Sequence, residues 1–570
     1  MNRPSHSGRS SPARRRGRAL WPTSSTTTDT RVWSRRCSKR SVSGMFGSRH
    51  RRSTLPSTTF GSEESTMKIL LVNPCLRYEA PHRYLPVGLG YVATAIKEAG
   101  YDFDLLDIDL HQMDDATVEA YVRTHRYDVV AFGCIVTHYK WTKWFIHTVK
   151  KHQPHCKVIV GNSVGSSIPD LLLENSPADI VVLGEGDVTI VEVLDCLHAG
   201  VSPAAIVPDA ADRETGMIEG IVFRAEDGSI VNNGLRKAVR KIDDLPFPDW
   251  DLFDVERYLE LGNSTAHETV FYPQEEAVVM PVNTARGCVH KCTFCHYVFW
   301  NDPYRHRSVE SIMGELRRNQ EKYGANYINF WDELSFSKLS QAEGLADALI
   351  EADLGIHWTA AIRSDLFGVS DVPYAQRKAV AEKFVEAGGL VMGYSLESAN
   401  DEILDAMNKR VEAEYFAEQI KVLNAVGLRS NTSLVIGYPQ ETVQTIGQTM
   451  QFCLDNDIYP SAGFLLPLPS TGMWDHAIEN GYITNQDQFL EEITERQDLV
   501  LNMTEIPDDV LIGEVKVWMD RINKSLGLGL DPDRLIRTGG ENKHTRQDAK
   551  VNTNRNTTES LNYAAVAGSV

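Results

Sequence analysis

Three cysteines fall within eight positions in the segment Gly287-Cys288-Val289-His290-Lys291-Cys292-Thr293-Phe294-Cys295-His296. Thiolates spaced this way on one short loop can hold three corners of a cubic four-iron cluster. No fourth cysteine lies nearby in the sequence, so one iron is left open to a small ligand. Zinc is the alternative, with His290 or His296 as the fourth ligand. Structural zinc sites, however, are usually built from two ligand pairs, not three cysteines on a strand-to-helix loop. The chain has nine cysteines in 570 residues, which is no disulfide framework and points to reduced thiols and metal. Cys75, Cys134, Cys156 and Cys196 read as packed thiols.

Two series of alternating strands and helices position this loop. Apolar runs at Lys68–Val72, Phe103–Asp107, Val129–Gly133, Lys157–Gly161 and Ile180–Gly184 have strand length, with helical stretches at Gly88–Ala99, Lys140–Lys151 and Ile190–Leu197 between them. The alternation predicts an α/β fold: a doubly wound parallel sheet over 67–205, with ligands outside the carboxyl ends of its strands. Residues 206–276 read as a connector with a hairpin near Asp227-Gly228. A second series over 277–475 has strands near Val278–Thr284, Tyr327–Trp331, His357–Arg363, Leu390–Leu396, Thr432–Gly437 and Gly463–Leu468. Six such units suit a partial (β/α)6 barrel with its site at the strand C-termini. Residues 476–535 read as a helical C-terminal region and 536–570 as a disordered tail. Residues 1–66 are basic and lack hydrophobic periodicity, so they are expected to be disordered. A start at Met67 is the simplest account of them.

The cysteine segment resembles the signature of the radical S-adenosylmethionine superfamily, Cys288-x3-Cys292-x2-Cys295 with Phe294 before the last cysteine. The resemblance implies that the open iron binds S-adenosylmethionine, whose reductive cleavage yields a hydrogen-abstracting 5′-deoxyadenosyl radical. It extends along the barrel. Asn329-Phe330-Trp331-Asp332-Glu333 looks like the segment that meets the methionine amino group, through Asp332 or Glu333. Tyr394-Ser395-Leu396-Glu397-Ser398 looks like the ribose and carboxylate segment, through Ser395 and Glu397. Leu434–Thr442, with Gly437, resembles the stretch along the adenine, and Leu466-Pro467-Leu468-Pro469, with Leu466, the sixth strand end.

Upstream, Pro86-Val87-Gly88-Leu89-Gly90-Tyr91 and Gly184-Glu185-Gly186-Asp187 look like the cobalamin-binding module that precedes the barrel in one large subfamily. Asn73, Pro86, Gly88, Thr137, Ser163, Gly184 and Glu185, at or near strand ends, are the cobalamin candidates. The Asp-x-His-x-x-Gly pattern of a lower axial histidine is absent; Asp109-x-His111 lacks the glycine. No Gly-x-Gly-x-x-Gly follows the first strand, which argues against a nicotinamide site. A relic domain without cofactor is the alternative to cobalamin.

The subfamily implies a cobalamin-dependent methyltransferase acting on an unactivated sp3 carbon or phosphinate phosphorus of a natural-product precursor. A small-molecule substrate and an external electron donor, such as flavodoxin or ferredoxin, go with it. A cyclase or oxidoreductase without methyl transfer is the first alternative, and a non-catalytic cluster or cobalamin sensor the second. His296, Arg305 and Arg307 follow the cluster loop and are candidates to grip an anionic substrate group; the bland reading makes the two arginines a solvated edge. The net charge of −19 argues against a nucleic-acid binder. No apolar run approaches the roughly 20 residues of a membrane span, and the expected location is the cytoplasm.

Overall fold

Five short apolar runs form the first sheet because nearly every side chain in them is covered: Ile69–Asn73 (β1), Phe103–Asp107 (β2), Val129–Gly133 (β3), Lys157–Gly161 (β4) and Ile180–Val182 (β5). A computed structural model describes residues 67–76, 83–201, 217–262, 276–296, 303–369, 371–493, 498–532 and 535–536, all within one unit, Ser65–Val570. The expectations for 1–66 and nearly all of 536–570 lie outside the described residues. The five strands are parallel in the order β2-β1-β3-β4-β5. The chain leaves β1 for β2 on one side and returns to β3 on the other, which opens a crevice beyond their carboxyl ends.

The expected connector is largely part of this layer. Ile221–Arg224 (β6) and Ile230–Asn232 (β7) form the hairpin foreseen at Asp227-Gly228, and β6 pairs antiparallel with β5 to extend the sheet to seven strands. Trp250, fully buried, packs where a Cβ on Gly90 would stand, 2.8 Å away, so the Val87–Glu98 helix needs glycine there.

The second sheet contains all six expected strands. Val279–Val282 (β8) precedes a two-stranded ribbon of Ala285–Arg286 (β9) and Arg305–His306 (β10). Then come Tyr327–Phe330 (β11), His357–Ala361 (β12), Gly389–Glu397 (β13), Arg429–Ile436 (β14) and Ser461–Phe464 (β15). They are parallel, in the order β15-β14-β13-β12-β11-β8. The sequential order is that of an open six-stranded barrel segment. The helix after the cluster loop spans Val309–Tyr323; Ser308 caps it by accepting from Ser311 N, and Gly324, at φ 72°, ends it. Ile312, Met313 and Leu316 supply its buried stripe. The C-terminal region is helical over Gly472–Glu479, Gln486–Glu492 and Asp508–Ser525. Among the described residues, no helix is long and apolar enough to cross a membrane.

Candidate active site

The cluster loop leaves β9 through Gly287 at φ 89°, where an added Cβ would lie 3.2 Å from Pro303 O. Only glycine accepts both conditions without strain. Other strand-end loops then clamp the segment. Thr293 N donates to Met407 O (2.9 Å), Thr293 Oγ1 donates to Ala406 O (3.0 Å), and Met473 N donates to Thr293 O (3.0 Å). Asn408 Nδ2 donates to Lys291 O at 2.7 Å. Cys292 is buried, and Cys288 and Cys295 are half-buried.

Burial raises the pKa of the Cys292 and Cys295 thiols, and the charges of the neighbouring cysteines raise both further. Lys409 and Arg363 pull Cys292 the other way. A polycationic centre placed among thiols favours their ionised form against such burial. The donor set therefore fits an iron–sulfur cluster. Among the described residues, no group of three or more His, Cys, Asp or Glu stands where one metal ion could be held. By contrast, burial pushes Cys75, Cys134 and Cys156 up to about 12 and also raises Cys196, which makes them packed, inert thiols.

The adjacent carboxylates at the end of β11 separate cleanly. Asp332 accepts from Thr284 N (2.9 Å), Ala285 N (3.1 Å), Asn283 Nδ2 (3.1 Å) and Thr284 Oγ1 (2.7 Å). It buckles the base of the cluster loop to the second strand, and its acceptor capacity is spent. Glu333 is exposed, and its charge raises the Cys295 thiol. Of the expected pair, Glu333 is thus the one not held by the base of the cluster loop.

Glu397, at the end of β13, is 5% exposed and has φ 61°, unusual for a residue other than glycine. Lys409 Nζ meets its Oε1 at 3.1 Å and lies 5.9 Å above the Phe294 ring. Phe294 in turn contacts Tyr438 edge-on, with centroids 6.3 Å apart. Ser395 is half-buried, with the Ser433 hydroxyl 3.3 Å away. Gly437, at φ 108°, and Tyr438 both donate backbone N–H groups to the buried carboxylate of Glu441. Leu466 is buried beyond β15. Lys409 and Glu441 were not singled out from the sequence. Glu441 stands inside the quoted adenine segment, whereas Lys409 had only the basic run Lys409-Arg410 to mark it.

The candidates on the first sheet divide. Asn73 is a structural group: its Nδ2 donates to Asp107 Oδ1 (2.9 Å) and to Tyr258 OH (3.0 Å) in a buried network. Glu185 is also corrected, because it is committed to Arg305 and Arg286. Thr137 lies in a short turn, Val136–His138, beyond β3, and Ser163 Oγ accepts from Val136 N (2.9 Å), joining the ends of β3 and β4. Pro86 starts the Val87–Glu98 helix without a side-chain cap, and Gly88 is exposed, with nothing within 4 Å of an added Cβ. Gly184, at φ 68°, receives the turn out of β5. The strand order places a switch point between β1 and β3, and the small residues Gly133, Gly161 and Ser163 at the ends of β3 and β4 are compatible with a flat cofactor there.

The two arginines expected to grip substrate are both ion-paired within the protein. Arg305 is 6% exposed and bound through both terminal nitrogens to Glu185, at 2.6 and 3.1 Å. Arg307 is 5% exposed, paired with Glu315 and stacked over Phe247. The solvated-edge reading fails as well, because both are internal. His296 Nδ1 contacts Pro469 O at 2.8 Å, while its buried Nε2 has no hydrogen-bond partner among the described residues. Burial pushes this imidazole down to about 4, so it is neutral at pH 7.

Comparison with known proteins agrees with this geometry. The family model described as B12 binding domain matches residues 75–194, and that of the Radical SAM superfamily matches 282–453. An uncharacterized methyltransferase of Pyrococcus horikoshii is 26% identical over 425 residues, covering 73% of this chain and 84% of its own. An anaerobic magnesium-protoporphyrin IX monomethyl ester cyclase of Rubrivivax gelatinosus is 23% identical, covering 68% of this chain and 66% of its own. The radical S-adenosylmethionine methyltransferase TsrM of Kitasatospora setae shares the fold with a TM-score of 0.55 at 17% identity, over 73% of this chain and 76% of that one. The cofactors are cobalamin for the first domain, and a four-iron cluster with S-adenosylmethionine for the second. The chain belongs to the radical S-adenosylmethionine enzymes that carry an N-terminal cobalamin-binding domain.

Proposed function

We propose that the protein is a cobalamin-dependent methyltransferase acting on an unactivated centre of a small molecule. The observation that supports this reading is the join between the modules. The loop leaving β5 at its carboxyl end is ion-paired to the ribbon that roots the cluster loop, through Asp187–Arg286 and Glu185–Arg305. The loops at the carboxyl ends of the two sheets are therefore in direct contact there. When bound there, the cluster and S-adenosylmethionine supply a hydrogen-abstracting radical, and cobalamin supplies a methyl group.

The residues of the chain hold and orient these partners. Cys288, Cys292 and Cys295 take three irons, Glu333 and Glu397 receive the polar end of S-adenosylmethionine, and the Gly437–Tyr438 turn faces its adenine. His296 offers the substrate one neutral nitrogen. With Arg305 and Arg307 ion-paired internally, an anionic group on the substrate would have to meet another cation. An external one-electron donor such as flavodoxin or ferredoxin completes the scheme. The second reading, a cyclase without methyl transfer, is supported by the cyclase relative. Incubation of the holoenzyme with reductant and candidate substrates distinguishes the two. Methyl transfer gives 5′-deoxyadenosine and S-adenosylhomocysteine in about equal amounts and a product heavier by one methyl group. 5′-Deoxyadenosine alone, with no added methyl, would refute it.

A further inference from the structure

The ribbon beneath the cluster loop has an arrangement that would be unfavourable in isolation. Arg286 on β9 stands directly opposite Arg305 on β10, and like charges directly across a two-stranded pair repel. The relief comes from the other module. Glu185 takes Arg305 at 2.6 and 3.1 Å and lies 3.4 Å from Arg286, while Asp187 takes Arg286 at 2.9 and 3.2 Å. Tyr91, on the Val87–Glu98 helix, puts its ring 4.6 Å from the Arg286 guanidinium. Arg305 also donates to Val239 O at 2.8 Å, beyond the hairpin. The four side chains are mostly or fully buried and sum to zero charge. Geometry of this kind is bidentate, which fixes orientation as well as distance.

We infer that Glu185, Asp187, Arg286 and Arg305 are positioning residues that set the cluster loop in register with the cobalamin-binding sheet. Cys288 is two residues beyond Arg286, so a shift of the ribbon moves the first cluster ligand directly. Gly184 and Glu185 stand at the carboxyl end of β5, so the same latch senses the rim of the cobalamin crevice. The four residues touch neither reacting group; they act through the loops they join. The inference rests on both cofactors being held by this chain, and not on methyl transfer.

The test is made on protein loaded with cobalamin and cluster, with iron and cobalamin contents measured alongside. Pulsed electron paramagnetic resonance reads the dipolar interaction between cob(II)alamin and the reduced cluster, and so their separation. The wild type is expected to give one narrow distance distribution. Glu185→Gln combined with Asp187→Asn should keep both cofactors and broaden that distribution at least twofold. Arg305→Lys, which keeps the charge but loses the fork, should do so to a smaller degree and serves if the double variant does not fold. The exchanged pair Glu185→Arg with Arg305→Glu should narrow it again. An unchanged distribution in a folded variant would overturn the inference. Selective loss of cobalamin from Glu185→Gln would overturn it too, by making Glu185 a cofactor ligand. A normal distribution in an enzyme that forms no methylated product would refute the proposed function and leave the latch standing.

Discussion

Glu441 permits a prediction of definite size and sign. Its side chain is 4% exposed beside the Gly437–Tyr438 turn, and burial pushes its carboxyl up from 4.5 to about 7 against the pull of the Gly437 and Tyr438 N–H groups. At about 1.36 kcal/mol per pH unit, this is worth about 3 kcal/mol. Because the folded value lies above the unfolded one, the contribution is fully present below pH 4.5 and is lost as pH rises through about 7. Glu441→Gln keeps an oxygen for the two N–H donors and cannot ionise. Urea unfolding of both proteins, followed from about pH 5 to about pH 8, should therefore show the glutamine variant gaining on the wild type by about 2.5 kcal/mol, steadily between about pH 5 and about 7 and levelling off above. Shared titrations cancel in the difference. Parallel stability curves across that range would show that the carboxylate ionises in the fold without cost, and would refute the reasoning.

Replacing Cys288, Cys292 or Cys295 by Ala should abolish the iron chromophore and 5′-deoxyadenosine formation in a folded protein, as read by absorbance and nucleoside analysis. Glu333→Gln should raise the dissociation constant for S-adenosylmethionine about tenfold with iron content unchanged, since a hydrogen bond to a charged group contributes about 1.5–3 kcal/mol. Asp332→Ala should instead leave the Thr284 and Ala285 donors unpaired, costing about 3 kcal/mol or more in denaturation with loss of iron. Lys409→Met strands the Glu397 carboxylate and should cost about 3–5 kcal/mol, most of it recovered by adding Glu397→Gln, as a double-mutant cycle would show.

The fold was legible where its strands carry a short apolar run. Phe103–Asp107, Val129–Gly133 and Lys157–Gly161 occur as read, and all six barrel strands lie where their apolar runs stand. The connector was underestimated for the same reason. Its strands, Ile221–Arg224 and Ile230–Asn232, are three or four residues long, and their pairing with β5 depends on an edge far away in sequence. Trp250 and Tyr258 carry no local signal that they pack under the first sheet; their burial is decided by Gly90 and by the Asn73–Asp107 pair.

The site was legible where chemistry is local and obscure where charge is relational. Three cysteines on one loop need no distant partner to declare themselves. A carboxylate at a strand end, however, looks the same in sequence whether it awaits a cofactor or an arginine. Glu185 meets Arg305 120 positions away and Arg307 meets Glu315 eight positions away, and neither partner could be assigned without the fold. Asp332 and Glu333 show the same limit at its smallest scale. They are adjacent and both acidic, at a point where strand alternation has ended. Only the N–H groups of Thr284 and Ala285, delivered by the neighbouring strand end, commit Asp332 to the scaffold. Burying an acid is tolerable when such donors are already in place, so the neighbouring backbone, and not the local sequence, decides that Asp332 is structural.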